Sequence, residues 1–183
     1  MTEHETYPVD VAGVKRDLRL FEVAPGIRIA ILNILGDTEL VAAAAEALAL
    51  KLEPVENDVL VTAETKSIPV VHVLAERLGL PYVVLRKEYR PYMGDALHVE
   101  THSITTGKPQ TLYLDEKDRG LLQRKRVVLV DDVISTGSTL EAMRHVVAEA
   151  GGTVTAEAAI FTEGDRGEWQ DVVSLGHLPV FKD

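Results

Sequence analysis

The densest chemistry in this 183-residue sequence lies between Val127 and Thr139, VVLVDDVISTGST. An apolar, β-branched run delivers two adjacent acids, Asp131 and Asp132, and a turn of small hydroxyl residues around Gly137 follows. Leu140, Met143, Val146, Val147 and Ala150 then recur at helical spacing. Ligands of parallel sheets bind beyond the carboxyl ends of strands. The first N–H groups of a helix are unpaired and its dipole is positive there, so this turn suits an anion. Ser135, Thr136, Ser138 and Thr139 add hydroxyl donors, so a phosphate can be held without a lysine. Two neighbouring carboxylates repel each other and need a ligand, cation or hydrogen bonds to offset that. Vicinal sugar hydroxyls, about one sugar length from the phosphate turn, would supply the bonds. The string therefore describes a site for a phosphorylated sugar, against the plainer alternative that Asp and Ser/Thr cap a helix after a strand. There is no GxxxxGK(S/T) motif and no GxGxxG after a strand, which excludes a Walker site and gives a dinucleotide fold little support.

The elements that must position these residues read as repeated strand–helix units. Ile27–Leu35 has the pattern of a buried strand ending at Gly36, and Asp37 and Thr38 can cap a helix through Lys51. Asp58–Ala63 is a short strand. Ser67 can cap the next helix, with Pro69 in its first turn and Gly79 at its end. Pro81–Leu85 is a third strand, and Arg126–Val130 the clearest one. Thr153–Phe161 and Asp171–Leu175 add two more after a helix closed by Gly151 and Gly152. Between Arg86 and Asp118 the helical period breaks, and Leu97–His102 and Gln110–Leu114 are expected to pair as an antiparallel hairpin. The expected class is α/β, a parallel sheet flanked by helices. Asp10–Val23 is expected to lie outside this sheet and Met1–Pro8 to be disordered.

Composition limits the rest. There is no cysteine, which excludes disulfides, cysteine-ligated metals and thiol catalysis. Nineteen Lys and Arg against 29 Asp and Glu give a formal charge of -10, which argues against a nucleic-acid polymer as partner. A small anion in a locally positive pocket stays compatible. The N-terminus lacks the pattern of a signal peptide, and no apolar run is long enough to span a membrane, so a cytoplasmic protein is expected. His72, His145 and His177 have no metal-ligand spacing, and Trp169 with Phe161–Asp165 either faces a substrate or packs.

Val128–Thr139 resembles the phosphoribosyl pyrophosphate (PRPP) signature of the type I phosphoribosyltransferases. The resemblance extends over about Ile27–Gly176 and looks closest to the adenine enzymes and the related xanthine-type enzymes and purine-repressor effector domains. It implies one phosphoribosyltransferase domain over residues 1–183. Residues 1–25 would form a tail and hood segment, 26–176 the core and 86–118 a flexible hairpin lid. By the same resemblance Asp131 and Asp132 would bind the ribose hydroxyls, and Ser135, Thr136, Gly137, Ser138 and Thr139 the 5-phosphate. Mg²⁺ would arrive with PRPP, with few direct protein ligands. Glu64–Ile68, ETKSI, stands where adenine enzymes have EARGF, so Thr65, Lys66 and Ser67 would bind pyrophosphate. Arg86 and Lys87 resemble the family's RK pair and, with Arg90, would contact pyrophosphate as well, or else form a solvated strand end.

The lid would exclude water from an oxocarbenium-like sugar, with Tyr92, Ser103, Thr105 and Thr106 as candidate contacts. Glu100 is either the loop acid of adenine enzymes or a surface carboxylate, because its surroundings depart from the family's LEYG. Ser135 stands where hypoxanthine–guanine enzymes place an Asp acting at purine N7, which disfavours an enzyme of that usual kind. The expectation is a purine phosphoribosyltransferase, adenine first, working as a homodimer without nucleic-acid or membrane partners. The alternatives are a xanthine-type enzyme and a regulatory module that binds PRPP without turnover.

Overall fold

The computed structural model describes residues 5–102 and 109–182. The chain opens with strands β1 (Thr6–Val11), β2 (Val14–Ala24) and β3 (Ile27–Ile31), followed by helix α1 (Thr38–Leu52). Next come β4 (Val59–Ala63), α2 (Ile68–Leu78), β5 (Tyr82–Leu85), β6 (Leu97–His102) and β7 (Pro109–Leu114). A short α3 (Arg119–Leu122), β8 (Arg126–Ile134), α4 (Ser138–Glu149), β9 (Thr153–Glu163), β10 (Val173–Leu178) and β11 (Val180–Lys182) complete it. Among the described residues no helix is long and apolar enough to cross a membrane.

The central sheet is parallel throughout, in the order β10-β9-β8-β4-β5. Its strands are apolar on both faces because both are covered. Leu60, Val128, Val130, Ala158 and Ile160 pack with α1 and α2, while Val59, Val61, Val127, Leu129 and Ala159 pack with α4 and the β6–β7 hairpin. Helix ends follow the sequence signals in part. The Asp37 carboxylate accepts from Leu40 N–H at 3.1 Å and is gripped by Arg16 of β2 at 2.7 and 2.9 Å, which ties the N-terminal strands to α1. Gly79 ends α2 with φ 66°, the left-handed value that favours glycine. Ser67 stands at the start of α2, but its hydroxyl does not cap the helix. It bonds Ala63 O at 2.9 Å and lies 2.6 Å from Thr62 Oγ1.

Two expectations are corrected. Ile27–Leu35 is not a strand of the parallel sheet. Only Ile27–Ile31 is extended, and it pairs antiparallel with β2 and β11 in a second sheet of order β1-β2-β3-β11. An apolar run fits either sheet, and only the long-range partners choose. Thr6–Pro8 is ordered rather than loose, since Thr6, Tyr7 and Pro8 pair with Arg19, Leu18 and Asp17. The β1 side chains alternate in exposure and so present one face to the body of the protein, with Val11 fully buried. Asp10–Val23 does lie outside the parallel sheet, and the β6–β7 hairpin forms where its pattern predicts.

Candidate functional site

Register brings the predicted segments together. Val61 of β4 pairs with Leu129 of β8, and Ala63 with Leu85 of β5. Continuing those ladders sets Ala63 level with Asp131. The segments Asp131–Asp132, Glu64–Ser67 and Arg86–Lys87 therefore leave the carboxyl edge of the sheet side by side. On the other flank, Ile134 pairs with Thr162 of β9, so Ser135 and Glu163 follow as neighbours.

Two cavities open along this edge. One, about 330 Å³, is lined by residues 63–67, Lys87, Asp131, Asp132, Val133 and Thr139. The other, about 100 Å³, is lined by Asp131 and residues 133–140. Asp131, Val133 and Thr139 belong to both, so the acid pair stands between the chamber that carries Lys66 and Lys87 and the hydroxyl-rich turn.

Asp132 is buried at 6% exposure, and Asp131 is half-buried. The Asp131 carboxylate accepts the Asp132 N–H at 2.8 Å. Burial first, and the Asp132 charge second, push the Asp131 carboxyl up to about 8, against the pull of Lys87. The Lys66 ammonium lies 2.7 Å from Asp132 Oδ2, an ion pair without hydrogen-bond alignment, and donates to Leu32 O at 3.1 Å. Lys66 thus serves as counter-ion to Asp132.

The other cations divide. Lys87 lines the larger cavity. Arg86 faces Glu64 instead, with Nε donating to the Glu64 carboxylate at 2.7 Å and Nη1 to the Tyr92 hydroxyl at 3.1 Å. Glu64 also accepts the Lys87 N–H at 2.6 Å. Burial opposes the Glu64 charge, but the Lys87 N–H and the Arg86 guanidinium overcome it and hold the carboxyl below its usual range. Arg90 pairs with Glu88 at 2.7 Å, outside both cavities. Thr65 and Ser67 line the larger cavity, the former exposed and the latter with its hydroxyl turned into the sheet.

In the turn itself, Gly137 takes φ 74° at the start of α4. A Cβ there would stand 2.7 Å from the Trp169 ring, so the turn and the ring are packed as one unit. The Ser135 hydroxyl donates to Glu163 at 2.7 Å, and Trp169 Nε1 donates to the Glu163 carbonyl at 3.0 Å. Thr136 Oγ1 and Ser138 Oγ lie 3.1 Å apart at the cavity. Glu163 was named in the sequence only within the run Phe161–Asp165, without a role of its own. Trp169 packs, as one of its two readings had it. His177 is structural, bridging Thr162 Oγ1 at 2.9 Å and Gly164 O at 3.1 Å.

Glu100 is not brought to this edge. It sits opposite Thr111, exposed, on the hairpin face away from buried Val99 and Leu112, and it lines neither cavity. Ser103, Thr105 and Thr106 lie outside the described residues.

Residues 32–174 match a family model described as a phosphoribosyl transferase domain. A Methanococcus maripaludis protein named hypoxanthine/guanine phosphoribosyltransferase is 36% identical over 124 residues, covering 68% of this chain and 62% of the relative. One from Methanotorris igneus with the same name is 34% identical over 116 residues, covering 63% and 58%. The chain thus spans less than two thirds of the length of these curated relatives. In fold it is similar to the adenine phosphoribosyltransferase of Thermoanaerobacter pseudethanolicus, with TM-score 0.66, 23% identity and coverage of 94% and 95%. That of Rhodothermus marinus matches with TM-score 0.66, 24% identity and 94% coverage of each chain.

Proposed function

The chain belongs to the phosphoribosyl transferase domain family, and on that premise we propose that it joins a purine base to the ribosyl carbon of PRPP, releasing pyrophosphate. One observation carries this reading: two cavities of unlike lining share Asp131 between them. PRPP is a sugar with an anion at each end and vicinal hydroxyls between, and the edge has that order. Asp131 and Asp132 accept the hydroxyl hydrogens. The amides of the turn, with Thr136, Ser138 and Thr139, hold the 5-phosphate at the start of α4. Ser135 contributes its N–H. Lys87 and the amides around Thr65 face the pyrophosphate, and Arg86 stiffens that chamber through Glu64.

Among the described residues no three His, Asp or Glu cluster to hold a metal alone. The acid pair nonetheless fits a Mg²⁺ ion that keeps its waters and takes its other oxygens from the substrate. Held there with PRPP, such an ion would supply charge neutralisation at the leaving pyrophosphate. The protein's own part is positioning and charge stabilisation, with the β6–β7 hairpin proposed to keep water from the sugar carbon.

For the base, the sequence relatives bear the name hypoxanthine/guanine, so these are offered first. Adenine, which the motif resemblance favours, and xanthine follow. Incubation with PRPP, Mg²⁺ and each base in turn, read by monophosphate formation, tests the proposal. A second reading, PRPP binding without turnover, draws on the outward placement of Glu100. Tight PRPP binding without product from any purine selects it and overturns the first. The protein is further proposed to act as a homodimer on the strength of the family resemblance. A monomer mass by light scattering at working concentration refutes that.

A further inference from the structure

Glu163 has no task in the reading above, yet it is 4% exposed at the carboxyl end of β9 and accepts the Ser135 proton at 2.7 Å. Among the described residues no lysine, arginine or histidine pairs with it. Its backbone is fixed by the bond from Trp169, whose ring packs on Gly137.

A serine hydroxyl has one hydrogen. With that hydrogen given to Glu163, Ser135 presents only lone pairs to the cavity it lines. Lone pairs backed by a carboxyl group repel a phosphate and attract an N–H. The turn therefore has two chemically different ends. Thr136–Thr139, at the start of α4, suits the anion, and Ser135 suits a neutral ring carrying an N–H.

Resting on the purine phosphoribosyltransferase reading, we propose that Ser135 and Glu163 form a two-step proton relay for the purine. Ser135 is the catalytic residue that touches the base, and Glu163 the positioning residue that orients Ser135 and stores the proton. A purine bearing its imidazole proton on N7 has a free lone pair on N9. As N9 forms its bond to the sugar carbon, the bond from that carbon to pyrophosphate breaks and its electron pair leaves with pyrophosphate. The positive charge arising on the ring is removed as N7–H gives its proton to Ser135 Oγ, while the Ser135 proton passes to Glu163 Oε2. The products are a neutral-ring nucleotide, pyrophosphate and a protonated Glu163, which returns its proton to water after release.

The test compares Ser135→Ala, Glu163→Gln and the double variant Ser135→Asp/Glu163→Gln in single-turnover product formation with Mg²⁺, PRPP and the preferred purine. Affinity for PRPP is read separately from Trp169, the single tryptophan, which packs against the turn. Ser135→Ala and Glu163→Gln are expected to slow the chemical step by about 100-fold, with PRPP affinity held within about twofold. The double variant, with a carboxylate now on the turn itself, is expected to recover at least about tenfold of that loss. A merely structural role predicts weakened PRPP binding and no such recovery. A Ser135→Ala rate within about threefold of wild type overturns the relay alone, even where Glu163→Gln fails to fold. Absence of product from the wild-type protein overturns the parent reading, and the relay with it.

Discussion

Replacing Asp131 with Asn should strengthen the fold while weakening the binding of PRPP. The side chain is half-buried beside Asp132, and burial together with that second charge raises its carboxyl to about 8. An unfolded Asp titrates near 4, so between about pH 4 and about pH 8 the folded protein holds a proton that the unfolded chain has lost. Stability must then fall as pH rises through that window, because the native state binds more protons. Each unit of displacement corresponds to about 1.4 kcal/mol, so the roughly four units between the two values set the full penalty above the window at about 5 kcal/mol. Asparagine cannot ionise, and its side-chain oxygen can still accept the Asp132 N–H that Asp131 now takes at 2.8 Å. Thermal unfolding of wild type and variant at pH 5 and pH 9 measures the effect. At about 2–4 °C per kcal/mol for a chain of this size, the variant should gain on the order of 10–20 °C at pH 9 and much less at pH 5. Titration with PRPP at neutral pH should show weaker binding in the same variant. Equal pH slopes for the two proteins would refute the placement of the raised carboxyl at Asp131.

Three further outcomes are expected. Lys66→Met removes the cation 2.7 Å from the buried Asp132 carboxylate, so the melting temperature should fall, and an unchanged melting temperature would deny Lys66 its counter-ion role. Gly137→Ala combines a left-handed φ of 74° with a clash against the Trp169 ring. It should cost about 1–3 kcal/mol and alter Trp169 emission, and unchanged emission would separate the turn from the ring. Glu64→Gln loosens Arg86 and the Lys87 N–H together, and calorimetry with pyrophosphate should show weaker binding, whereas unchanged binding would mean that this chamber is held in other ways.

The parallel sheet and its phosphate turn were legible because their causes are local. VVLVDDVISTGST states a buried strand, a repelling acid pair and a small-residue turn within 13 consecutive positions. The β6–β7 hairpin was legible for the same reason, since its two strands are close in sequence. The partners of Ile27–Ile31 were not. Its apolar alternation fits a parallel or an antiparallel sheet, and β11, three residues near the chain end, decides the matter by pairing with it. For Arg86 and Lys66 the sequence shows a cation but not its nearest anion, and folding sets Glu64 beside one and Asp132 beside the other.

By itself, then, the sequence determined the α/β class, the acid pair and the anion turn, since strand period, helix start and like-charge repulsion act between neighbours along the chain. Tertiary structure alone decided which ionisable groups meet. The β8–β9 register set Glu163 beside Ser135, 28 positions away, and the bond to that buried carboxylate turned an ordinary serine hydroxyl into a directed one. Such pairings rest on strand register and exclusion of water, which exist only once the sheet has formed.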